Sequence, residues 1–118
     1  WCLLRLIEPR RGKVFVGSTN VADLSLYELR RTVGIVPQDV VVFEGSWGFN
    51  VDPVSEHAEE RTRHALLAAK LSTEDGTGPG PGSGAACRHL LGLARMVVRQ
   101  PPLLLVDQCP VALDSRTR

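Results

Sequence analysis

The most constraining stretch of this 118-residue chain is PPLLLVDQ, residues 101–108. Paired prolines close any helix that comes before them, because the prolyl ring cannot continue the backbone ladder. The apolar run Leu103–Val106 predicts a strand buried on both faces, the kind found inside a parallel sheet. Strands of that kind end at the carboxyl edge of the sheet, where open α/β folds hold their ligands. Asp107 follows at once, and a carboxylate at that edge suits a Mg²⁺ ion held against phosphates. Taken alone, the same residues are equally a buried strand with a capping aspartate.

The residues on either side narrow the choice. HLLGLARMVV, residues 89–98, repeats apolar side chains at helical spacing and runs into the two prolines. LLGLARMVVRQPP, LLLVDQ and VALD, in that order, resemble the signature helix, Walker B strand and D-loop of ABC transporter ATP-binding domains. LLRLIEPRRGKVFVGSTNVADLSLYELRR resembles the same family, in particular its multidrug-resistance subfamily.

Read in order, the chain opens with Leu3, Leu4, Leu6 and Ile7 on one helical stripe that Pro9 terminates. No N-cap precedes that stripe, so the chain reads as starting inside an element. Residues 13–17 read as a short strand and 17–20 as a turn. Ser25-x-x-Glu28 is a capping box that opens a short helix. Residues 32–36 are β-branched and apolar and form a second strand candidate.

Next comes PQDVVVFEGS, residues 37–46, which resembles the family's Q-loop. The resemblance implies that Gln38 touches the metal or the attacking water and relays to membrane-spanning helices; otherwise Gln38 caps a strand end. Asn50-Val51-Asp52-Pro53 corresponds to the subfamily's NLDP. Residues 55–71 read as a helix capped by Ser55, with Glu59 and Arg63 paired one turn apart.

Residues 77–84, TGPGPGSG, are Gly/Pro-rich and favour a flexible loop. Family members carry a signature of the LSxGQ type here, and counting back from Leu93-Ala94-Arg95 places it on residues 83–87. The resemblance implies that Ser83 and Gly84 present donors at a helix N-terminus to a γ-phosphate on the partner subunit. Cys87 replaces the final glutamine, so the signature is eroded.

Catalysis in this family needs a phosphate loop, and G-x-x-x-x-G-K-[ST] is missing from these 118 residues. Gly12-Lys13 does not supply it: Val14 replaces the hydroxyl residue and Ile7 stands at the first glycine, which leaves a turn. Gln108 occupies the position of the family's catalytic glutamate. An amide orients water but takes up no proton at neutral pH. Asp114 matches the D-loop aspartate. The implied cofactors are ATP and Mg²⁺, with Asp107 as the metal ligand. The implied partners are a second nucleotide-binding domain and a transporter's transmembrane domains, at the cytoplasmic face of a membrane.

Composition sets the remaining bounds. Hydrophobic residues make up 43% and charged residues 23%, as in an ordinary globular domain, and no apolar run approaches membrane-spanning length. A net charge of +1 gives no electrostatic case for nucleic acid. Cys2, Cys87 and Cys109 lack CxxC spacing, and His57, His64 and His89 lack metal-site spacing, so the histidines read as surface or helix-face residues.

The expectation is a partial P-loop NTPase-type α/β domain. It has a mostly parallel sheet of few strands and a helical subdomain from about 50 to 99. Its function is ATP binding and coupling to transport, with hydrolysis impaired or absent in this chain alone. The alternative is a non-catalytic interaction domain derived from an ABC ATPase. A third reading, an unrelated α/β domain with Asp107 as phosphoacceptor, needs further acidic residues at a neighbouring strand end, and Asp39 is the candidate.

Overall fold

The computed structural model describes residues 1–71, 78–79 and 84–107. Its first element departs from expectation. Cys2–Leu4 makes a 3-10 turn in place of a helix, because Arg5 adopts a left-handed conformation (φ 50°). The Arg5 guanidinium donates to the Leu24 carbonyl at 2.8 Å, a bond across 19 residues that turns the chain away. Leu6 and Ile7 are left exposed.

A hairpin follows, with β1 (Phe15–Val16) antiparallel to β2 (Thr19–Asn20). Gly17, at φ 61°, provides the positive torsion that a two-residue hairpin turn requires. Thr19 and Asn20 therefore belong to a strand, and the turn is shorter than the sequence suggests. The predicted capping box then starts α1 (Leu26–Thr32). Glu28 N–H donates to Ser25 Oγ at 3.1 Å, and Ser25 N–H donates to the Glu28 carboxylate at 2.9 Å.

Strand β3 (Val33–Val36) leaves α1 directly. The chain then passes through α2 (Trp47–Val51), α3 (Glu59–Ala68) and α4 (Ala85–Arg99) before it returns as β4 (Leu103–Val106). The two long-separated strands pair in parallel, Val33 opposite Leu103 through Val36 opposite Val106. This is the mixed helix and sheet architecture the sequence predicts, with a small sheet.

Helix α4 spans the predicted 89–98 segment and extends it at both ends. It buries Leu91, Ala94 and Val98 on one face, and His89, Gly92 and Met96 are buried as well. Gln100 caps it in a left-handed conformation (φ 48°), and Pro101 begins the turn into β4. At Gly92 the helix sits directly on the end of β3: an added Cβ would lie 2.9 Å from Val36 Cγ1 and 3.0 Å from Val40 Cγ2.

The sheet separates two cores. On one side Val36, Val40 and Val51 pack with the buried faces of α3 and α4. On the other, Val21, Leu29 and Val33 gather Leu3, Leu4, Val14, Ile35, Leu103 and Leu105.

Strand β4 is not buried on both faces, as its unbroken apolar run predicts. Leu104 and Val106 remain 42% and 44% exposed. Helix α4 lies over β3, and among the described residues no strand pairs with the far edge of β4. Leu104 thus lines an open groove of about 430 Å³ together with Leu93, Met96 and Val97 of α4.

Two further readings change. Helix α3 starts at Glu59 and Ser55 does not cap it; Ala58 is the N-cap, without a side-chain bond. Asp52 takes that organising role, accepting from the backbone N–H of Glu56 at 3.2 Å and of His57 at 2.8 Å. Ser55 is forced to φ 54° inside this turn. His89 lies in the interior, with its Nε2 buried and unpartnered among the described residues. His57 sits beside a carboxylate, its Nδ1 3.4 Å from Asp52.

Candidate functional site

The parallel pairing of β3 and β4 brings their carboxyl ends together. The last register pair is Val36 with Val106, and the Asp107 N–H continues the ladder by donating to the Val36 carbonyl at 2.9 Å. Gln38 lies two residues beyond Val36, past Pro37, and both Gln38 and Asp107 are exposed. An amide and a carboxylate, 69 positions apart in sequence, therefore share one edge of the sheet. Asp39 is exposed on the same side.

The loop after β3 is held from behind by two side chains that the sequence reading did not single out as structural. Asn50 is fully buried on α2. Its amide donates to the Phe43 carbonyl at 2.9 Å and the Ser46 carbonyl at 3.0 Å, and its oxygen accepts from Phe43 N–H at 2.8 Å. Arg95, on α4, donates from Nε to the Asn50 carbonyl at 2.8 Å and lies over the Phe43 ring at 5.8 Å. Burial pushes the Arg95 pKa down, but a guanidinium starts so high that it keeps its charge at neutral pH. Helices α2 and α4 thereby hold the chain at residues 43–46. A polar residue at the second-last position of an otherwise apolar short helix was the available signal for Asn50.

Gly84 stands apart from this edge. It is the N-cap of α4 and supplies no side-chain hydrogen bond to the helix. Gly92 is level with the end of β3, and the eight residues back to Gly84 carry the helix about 12 Å further at 1.5 Å per residue. The structure unites Gln38 and Asp107 and leaves Gly84 beyond them. Ser83, Gln108 and Asp114 lie outside the described residues.

As chemistry, the edge offers one exposed carboxylate, with an exposed amide in the loop after β3. An exposed carboxylate is a hard oxygen donor of the kind Mg²⁺ accepts while keeping several waters. Asp107 fits one such position, but among the described residues no three His, Cys, Asp or Glu side chains are placed to hold a metal together. The backbone cradle that would wrap a triphosphate has no counterpart in the sequence.

Comparison with known proteins gives the context for this geometry. No family model matches the chain. It is 32% identical to the human ATP-binding cassette sub-family C member 3 over 126 aligned residues, covering 98% of this chain and 8% of that protein. It is 30% identical to ABC transporter C family member 5 of Arabidopsis thaliana, again over 98% of the chain. Its homologues are ABC transporters of subfamily C. The chain is also 28% identical to multidrug resistance protein fer6 of Mycosarcoma maydis, over 98% of its length. A bacterial Atm1-family ABC exporter solved with ATP bound superposes with a TM-score of 0.80 at 26% identity, over 97% of this chain and 22% of that one. The chain thus spans less than a tenth of the length of these curated transporters. Among the described residues no helix is long and apolar enough to cross a membrane.

Proposed function

We propose that the chain forms part of the nucleotide-binding domain of an ABC transporter, contributing the Q-loop and Walker B edge to an ATP site and coupling that site to transport. One observation carries this reading: Asp107 directly follows β4, Gln38 comes two residues after β3, and the two strands are parallel, so both residues follow the carboxyl ends of one strand pair. That is where α/β folds hold ligands. The homologues being ABC transporters, and the neighbour with ATP bound, support the same assignment.

In this account the fold is part of a P-loop NTPase-type domain, and residues from about 50 to 99 are its helical subdomain. Asp107 holds Mg²⁺ and Gln38 reads the occupied site. Gln108 stands at the catalytic position without the ability to accept a proton. Ser83, Gly84 and Asp114 are assigned, by their match to the signature and D-loop, to the ATP shared with a second nucleotide-binding domain. When bound, Mg²⁺ neutralises phosphate charge. The protein's own contribution is a carboxylate directly after β4 and an amide in the loop after β3. Hydrolysis by this chain alone is impaired or absent, and the working location is the cytoplasmic face of a membrane beside transmembrane domains.

A second reading keeps the fold and drops the nucleotide: a non-catalytic interaction domain. The open apolar groove beside Leu104 favours it. Thermal unfolding with and without Mg-ATP separates the two. The transporter reading predicts a higher melting temperature with Mg-ATP than with Mg²⁺ alone, since a ligand that binds the native state stabilises it. An unchanged transition at millimolar Mg-ATP leaves the interaction domain.

A further inference from the structure

A second recess, of about 410 Å³, lies between the last turn of α1, the last turn of α4 and the Asp52–His57 turn. Tyr27, Arg30, Arg31, Glu56, His57 and Arg99 line it. Three guanidinium groups face a single carboxylate in a chain whose net charge is only +1.

Two of these arginines are held in place. Arg31 donates to the Tyr27 hydroxyl at 2.6 Å and stacks over that ring at 5.4 Å. Arg99 donates from Nη2 to the Arg30 carbonyl at 2.7 Å, tying α4 to α1. Each retains further N–H donors in its planar fork. Basic residues at helix ends offset the macrodipole, which accounts for each arginine singly. It does not account for two helix ends meeting with their guanidiniums around one hollow, where like charges repel.

We propose that this recess binds a phosphate-bearing small molecule. The planar forks of Arg30, Arg31 and Arg99 match phosphate oxygens in geometry and charge, and two of the three are already oriented. The site is separate from the edge that carries Asp107 and needs no Mg²⁺.

Pyrophosphate without magnesium is the probe, titrated into the full chain at low ionic strength while the arginine side-chain NMR signals are followed. The expected result is a saturable shift confined to Arg30, Arg31 and Arg99, lost progressively with added salt. Arg30→Gln and Arg99→Gln should each weaken binding about tenfold through the loss of charge-assisted bonds. The Arg30 side chain makes no hydrogen bond among the described residues, so Arg30→Gln should keep the fold if Arg99→Gln does not. Asp107→Ala should bind pyrophosphate unchanged, which separates this site from the nucleotide edge. Equal shifts at all arginines, or undiminished affinity in Arg30→Gln, would overturn the proposal. So would binding to anionic phospholipid vesicles that depends on Arg30 when free pyrophosphate shows none, because the phosphate would then come from a lipid surface.

Discussion

At the scale of single residues, the polar side chains that matter most are those that shape loops. Asn50 satisfies three backbone groups of the 43–46 segment from a fully buried position. Asn50→Ala strands those groups, and a loss of about 2–4 kcal/mol in urea unfolding is expected. Asp52 has a pH signature. Burial raises its pKa, but the N–H groups of His57 and Glu56, together with the nearby His57, outweigh that and leave it lowered. A lowered carboxylate stabilises the fold above its unfolded value of about 3.9 and loses that contribution as pH falls through the folded value. The stability gap between the natural protein and Asp52→Asn should therefore shrink on acidification from neutral pH to below the folded pKa. A gap that grows would contradict the geometry.

At the scale of elements, periodicity and local chemistry were legible where the element is self-contained. The Ser25–Glu28 capping box and the α4 stripe could be read directly, because cap and face are encoded within a few residues. Where a distant group decides the backbone, the sequence misled. Arg5 reaching Leu24 stops the first helix, and Asp52 capturing Glu56 and His57 moves the start of α3 to Glu59. The Leu103–Val106 run identified its strand but overstated its burial, since burial depends on neighbours the run cannot specify. The site was legible as an order of short motifs. What could not be read was that Asn50 and Arg95 hold the loop that carries Gln38. The contact between α4 and β3 gives a prediction at this scale. Gly92→Val places a side chain against Val36 and Val40, and overpacking should cost about 1–3 kcal/mol. Gly48→Val, also helical but with open space around it apart from Ser46, gives the comparison for propensity alone.

At the scale of the whole molecule, the described residues form a two-stranded parallel sheet in which both outer edges are unpaired and Leu104 and Val106 of β4 stay partly exposed. Parallel sheets are ordinarily covered on both faces, and exposed edges and apolar grooves promote association. The chain should be marginally stable, with a thermal transition that depends on protein concentration. Leu104→Glu should reduce self-association in sedimentation experiments; a sharp, concentration-independent transition would count against this view. The central claim concerns the carboxyl end of the same sheet, which Gln38 and Asp107 follow. Calorimetric titration of Mg-ATP into the isolated chain, alongside Asp107→Ala and ATP without magnesium, tests it most directly. The account predicts weak binding that requires magnesium and disappears in the variant, because the carboxylate is present and the phosphate loop is not. Binding that is equal with and without magnesium, or unaffected by Asp107→Ala, would contradict it.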